Sequence, residues 1–181
     1  MKFLPLFAGI LLFCTTAQAK SDITPEGFFG EWRVYTSKEG NETICFMVSA
    51  PQHSNAERNN NFLSITHRPY ENSFDTIAVM FGTTFHKTSR PTIEIDNLKP
   101  VEMKAVEDTA FVRTTKEENQ LIAEMIKGNV ARTKGKSKKG TLLRETYSLK
   151  GFSKAYELIN LKCRPQSTQN KNTAQNKESL E

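Results

Sequence analysis

The residues of this chain whose types could do chemistry are three histidines, three cysteines, a Gly-Lys-Ser triplet within a lysine run, and two pairs of adjacent carboxylates. Metal binding or nucleophilic catalysis wants histidines close together, with carboxylate, serine or cysteine partners in reach. His53, His67 and His86 lie far apart in sequence, and neither His-Glu-x-x-His nor Gly-x-Ser-x-Gly occurs. His67, followed by Arg68-Pro69 at the end of an alternating stretch, is the candidate site to watch. As a base it would make the chain an envelope hydrolase; as a hydrogen-bonded structural histidine it would do no chemistry. Glu107-Asp108 reads as a turn. Glu117-Glu118 reads as the first turn of a helix, where negative charge suits the macrodipole. Neither pair has the setting of an acid/base couple, so no catalytic residue, metal site or cofactor is assigned.

Gly135-Lys136-Ser137 has the ending of a phosphate-binding loop, but that motif places its first glycine where Val130 stands, and it needs a helix after the loop. The surrounding pattern is strand, turn, strand. What remains is a crowd of cations: Arg132, Lys134, Lys136, Lys138 and Lys139. Two readings stay open, a solvated turn and a hairpin tip that contacts an anion or a partner. No aromatic residue interleaves with these lysines, so there is no stacking platform for single-stranded nucleic acid. The formal net charge of +5 is too small for a dedicated nucleic-acid binder. It does favour anionic surfaces such as phospholipid headgroups, lipopolysaccharide or sulfated glycans.

The elements that position these residues follow from patterning. Met1–Ala19 has a charged start at Lys2, an apolar run from Leu4 to Phe13, and Ala17-Gln18-Ala19, the order of a secretory signal peptide cleaved after Ala19. It is too short for a membrane anchor, and no transmembrane segment is expected in the mature chain. Cleavage removes Cys14 and leaves Cys45 and Cys163, an even pair in an oxidising compartment, expected to form a disulfide. Lys20–Gly27 reads as a polar leader, residues 28–163 as one domain, and Arg164–Glu181, nearly devoid of apolar residues, as a disordered tail.

Within the domain, Trp32 and Val34 alternate with Arg33 and Tyr35, predicting a half-buried strand with Trp32 as a core anchor. Further strands are predicted over 43–49, 62–67, 76–81, 92–95, 100–104, 109–113, 129–134 and 142–149, with Pro51–Asn61 as an exposed loop. Thr115-x-x-Glu118 reads as a capping box ahead of Leu121, Ile122, Met125 and Ile126 on one helical face, with Gly128 as the stop. Phe152, Ala155, Tyr156 and Ile159 space a second helix before Cys163. The expected fold is therefore mainly β: an antiparallel sandwich or partly closed barrel of about nine strands with two short helices packed on it.

Several of these segments, taken in order, resemble the invasion-associated locus B family of exported bacterial proteins. They are Trp32-Arg33-Val34-Tyr35, Thr66-His67-Arg68-Pro69, Asp108-Thr109-Ala110-Phe111, Gly140-Thr141, Thr146-Tyr147-Ser148-Leu149-Lys150-Gly151-Phe152 and Cys163. Thr146–Phe152 is the most distinctive, and the resemblance runs over about residues 28 to 163. Phe111 departs from the Trp usual there, and Thr36 stands where some members have a further cysteine. The resemblance implies a small, β-rich, disulfide-linked periplasmic or cell-surface protein. Its expected role is binding or interaction, in some members linked to host-cell invasion, with no catalysis. The implied partner is a protein or an envelope or host-surface component; a purely structural stabiliser of another envelope protein is the remaining alternative.

Overall fold

The computed structural model describes residues 22–56, 58 and 60–164. The expected signal segment, Lys20 and Ser21 of the leader, and the tail beyond Arg164 lie outside the described residues. Two antiparallel sheets face each other. The larger has the order β1-β2-β3-β5-β6-β10-β9, built from Ile23–Phe29, Trp32–Glu39, Glu42–Ser49, Phe62–Arg68, Ser73–Met80, Thr109–Phe111 and Lys104–Val106. The smaller has the order β4-β12-β11-β7-β8, from His53–Ser54, Leu142–Ser148, Val130–Lys136, Thr92–Ile95 and Val101–Glu102. Helices α1 (Thr115–Lys127) and α2 (Phe152–Cys163) complete the fold. It is a sandwich, with the two sheets separate rather than joined into a barrel.

All nine expected strands are present, and β1, β4 and β9 add to them. Residues 23–29, read above as leader and domain start, form β1. Pro25 and Gly27 hid it, yet an edge strand tolerates both, and its register shifts between them as a bulge would require. Strand β4 is two residues inside the expected loop, paired to β12.

The core lies between the sheets. Trp32, Val34, Cys45, Met47, Leu63, Ile65, Ile77 and Val79 point inward from the large sheet and are inaccessible to solvent. They meet Ile93, Ile95, Ala131, Leu143 and Tyr147 from the small sheet and Phe152, Ala155 and Ile159 from α2. Helix α1 buries Leu121, Ile122 and Met125, whereas Ile126 falls at the edge of the stripe and is 44% exposed. Its cap is one residue earlier than predicted. Thr114 is the N-cap, and its Oγ1 accepts from the Glu117 amide at 3.2 Å. Glu118 instead takes a hydrogen bond from the Ile77 backbone. Both registers satisfy Thr-x-x-Glu, and packing against β6 chose between them.

The Thr146–Phe152 segment has a structural explanation residue by residue. Trp32 Nε1 donates to the Ser148 carbonyl at 3.0 Å, and Phe152 meets the Trp32 ring edge-on at 5.0 Å. The Glu31 amide donates to the Lys150 carbonyl at 3.1 Å. Gly151 has φ +92°, and a Cβ there would sit 2.0 Å from the Phe29 carbonyl oxygen. Two chain turns far apart in sequence thus touch backbone to backbone, which only glycine permits. The expected disulfide is present: Cys45 on β3 is joined to Cys163, the last residue of α2, across a sequence separation of 118.

Candidate functional site

The basic hairpin is β11–turn–β12. Ala131 and Thr133 face the core, so strand alternation sends Arg132, Lys134 and Lys136 to the outer face of the small sheet. Arg132 and Lys134 share Glu94 of β7 at 3.8 and 3.6 Å, and Arg132 also donates to the Asp96 carbonyl. Lys134 stands directly opposite Arg144 of β12. Like charges facing each other across a ladder cost stability, and Glu94, 3.6 Å from Lys134, offsets that cost here. Lys138 and Lys139 are exposed in the turn.

The hairpin tip is bound to a neighbouring loop. The Lys138 amide donates to the Thr84 carbonyl at 2.8 Å, the His86 amide to the Lys136 carbonyl at 2.9 Å, and the Lys136 amide to Ser89 Oγ at 3.0 Å. On its other side this loop walls a cleft of about 510 Å³ lined by Lys87, Arg90, Lys104 and Arg113, with Glu102 and Glu107. Arg90 and Arg113 both reach Glu102, at 3.6 and 2.8 Å. With Lys136, Lys138 and Lys139, cleft and tip hold seven cations and two carboxylates, a net of +5. That equals the formal net charge of the whole chain. Three of the predicted hairpin cations, Lys136, Lys138 and Lys139, thus lie on a tip joined through this loop to four more that periodicity could not link to them, whereas Arg132 and Lys134 are engaged with Glu94 on the sheet face.

His67 lies elsewhere, inaccessible to solvent beneath α2 and beside the disulfide, since it pairs in register with Cys45. Its Nδ1 accepts from the Asp75 amide at 3.1 Å, so the neutral ring carries its proton on Nε2 and donates to Asn160 Oδ1 at 3.0 Å. Both nitrogens are engaged and neither reaches solvent. Burial pushes the imidazole below its ordinary value, with the Asp75 carboxylate, 3.9 Å from Nε2, opposing that shift. Asp75, held at φ +61°, accepts from Tyr156 Oη at 2.7 Å and from Arg164. Burial, then this hydrogen bond, pushes the Tyr156 phenol up to about 12. Arg68, next to His67 in sequence, points to the opposite face of the sheet, toward Glu71 at 4.0 Å. His67 and Arg68 are therefore not one site. The closeness of Asp75 to His67, eight residues on across a tight β5–β6 connection, was the part not legible.

A second buried polar cluster also escaped sequence reading. Glu145, 1% exposed, sits on the inward face of β12. Its carboxylate takes Arg58 and Asn61 Nδ2 (2.9 Å) on one oxygen, and Tyr147 Oη (2.5 Å) on the other. Burial, then Glu145, pushes the Tyr147 phenol well above its ordinary range. The signal was present: Leu143, Glu145 and Tyr147 alternate in step, so a strand there must bury the glutamate. What could not be foreseen is that Arg58 would come from the Asn-rich loop to neutralise it.

The geometry defines a small disulfide-stapled β-sandwich with two buried polar clusters, around His67 and around Glu145, and a basic hairpin tip joined by backbone hydrogen bonds to the loop of a cation-lined cleft. Among the described residues, no group of three or more His, Cys, Asp or Glu is placed to hold a metal ion, and no helix is long and apolar enough to cross a membrane. The chain belongs to the invasion associated locus B (IalB) family, whose model matches residues 32–160, from the buried Trp32 to the partner of His67. Membership makes it an invasion-associated bacterial protein by family, and the disulfide accords with work outside a reducing compartment. No curated protein and no solved structure matches the chain.

Proposed function

We propose that the protein is an exported, non-catalytic interaction module, released from its signal segment after Ala19, that engages an anionic component of the bacterial envelope or of a host surface. The observation that carries this reading is the hairpin–cleft surface. Lys136 and the exposed Lys138 and Lys139 lie at a hairpin tip that is hydrogen-bonded through its backbone to the loop walling a cleft with Lys87, Arg90, Lys104 and Arg113. Such an arrangement concentrates positive potential where a row of sulfates, phosphates or carboxylates could lie along it. A lipid headgroup layer and an anionic glycan share that chemistry. Support for binding over hydrolysis by His67 is that the imidazole is buried with both nitrogens already committed.

The test is retention on a sulfated-glycan column and co-sedimentation with vesicles containing anionic lipid, each titrated with salt. Replacing Lys136, Lys138 and Lys139 by glutamate is expected to abolish binding to one or both supports with no change in melting temperature. Unchanged binding by that variant would sink the proposal.

A further inference from the structure

The opposite side of the molecule carries a separate feature. Strand register puts Phe28, Arg33, Val48, Ser64, Ala78 and Phe111 in one row across the outer face of the large sheet. One flanking row runs from Tyr35, stacked on Phe46, to Thr66 and Thr76, and the other pairs Phe62 with Met80. On a solvated sheet face these positions are normally polar. Neither helix lies on this face, because α1 and α2 pack against the inward-pointing side chains. Phe28 is 65% exposed, with the Arg33 guanidinium over one side of its ring at 5.7 Å. Beside it opens a groove of about 420 Å³ walled by Phe28, Phe46, Val48 and Phe62, with Glu31 and Arg33 on its rim.

We propose that this face is the interface of a homodimer related by a two-fold axis. Three observations select a second copy as the occupant. A projecting aromatic and an aromatic-lined groove lie on the same face, so a two-fold lets each copy supply the knob for the other's hole. The rim carries one carboxylate and one guanidinium two residues apart, and a two-fold can set Glu31 of each copy against Arg33 of the other. The face also has the needed area. Its five long strands, about 4.8 Å apart and about 25 Å long, present about 600 Å² per copy, or about 1,200 Å² in all, where specific interfaces begin. This dimer does not depend on the function proposed above. If both hold, the two basic surfaces point away from each other and the pair is bivalent.

The experiment is sedimentation velocity of the purified, disulfide-bonded protein from about 1 to about 200 µM, which spans weak to moderate association. Dimerisation within this range is expected. Val48→Lys, at the centre of the face and outside the core, should weaken it at least about tenfold at an unchanged melting temperature, the cost of a charge placed in an apolar contact. Independently, Glu31→Arg and Arg33→Glu should each weaken the dimer, and the two together should restore it. A monomer at every concentration overturns the proposal, as does a dimer indifferent to both sets of changes. Monomeric protein that binds zwitterionic vesicles until Val48→Lys is introduced would assign the face to lipid and equally overturn it.

Discussion

Replacing both Cys45 and Cys163 by alanine tests the account of what holds this sandwich together. The bond closes 118 residues into a loop. On the chain-entropy model, opening it returns about 16 cal/mol/K to the unfolded chain, or about 5 kcal/mol at 25 °C. Both sulfurs are buried, so their loss adds a cavity cost in the same direction. A domain of this size unfolds with an entropy near 0.3 kcal/mol/K, which turns the loss into a fall in Tm of about 16 °C. Alanine is chosen over serine so that no hydroxyl is buried without a partner. Urea unfolding followed by fluorescence reads the result, because Trp32 is the single tryptophan and is inaccessible to solvent. The unfolded chain should also become less compact, so the m-value should rise. The competing account is that the bond only pins the last turn of α2 to β3. A loss below about 2 kcal/mol with an unchanged m-value would favour that account and refute the entropic one.

Glu145→Ala should cost about 3–5 kcal/mol because Arg58 is left as a buried, unpaired charge, whereas Tyr147→Phe, which removes one hydrogen bond to a charged group, should cost about 1.5–3 kcal/mol; chemical denaturation of both variants checks the order. Gly151→Ala, which drives a Cβ into the Phe29 carbonyl at a left-handed φ, should lower Tm far more than Gly40→Ala, where nothing lies within 4 Å. Glu118, pushed up to about 7 mainly by burial, binds its proton more tightly folded than unfolded. It therefore erodes stability as pH rises from about 4.5 to 7, and Glu118→Gln should relieve on the order of 1 kcal/mol at pH 8, after solvent screening, and almost nothing at pH 4. His67 works in the opposite sense. Its imidazole is depressed in the folded state, so the contribution is complete above the unfolded value near 6.5 and is lost as pH falls through the folded one. A pH series of melts on His67→Gln should flatten that acid limb.

Strong periodicity made the main strands, both helices and the inward placement of Trp32 legible, because burial of one face leaves a mark every second residue in a strand and every third or fourth in a helix. Where the pattern failed, other terms were deciding. Pro25 and Gly27 lie in an edge strand whose outer ladder is unpaired, so the usual objection to them has no force. Thr114 and Thr115 offer the same capping motif one residue apart, and only the seating of Glu118 near Ile77 separates them. The candidate surfaces divide the same way. The hairpin cations are adjacent in sequence and were legible as a group. Their continuation through Lys87, Arg90, Lys104 and Arg113, the link between His67 and Asp75, and the pairing of Arg58 with Glu145 depend on how loops and separate strands come together. No spacing rule encodes those contacts. The segment Thr146–Phe152 was conspicuous in sequence, and its reason is the backbone contact between the turns at Gly30 and Gly151.

The position of the Cys45–Cys163 bond also sets how the molecule answers tension. Consider a pull applied between β1 and the residue after α2, as when one end is held and a surface moves away. The force path runs from Cys163 straight into β3 through covalent bonds, so everything between the two cysteines carries no load. Only residues 22 to 45 can be drawn out, about 80 Å of chain at about 3.5 Å per residue, against about 500 Å for the same sandwich without the bond. The core sheets, the basic surface and the buried His67 network all lie largely inside the shielded loop. The bond thus acts as a safety stop: β1 and β2 can peel away while the part of the protein that presents charge keeps its shape.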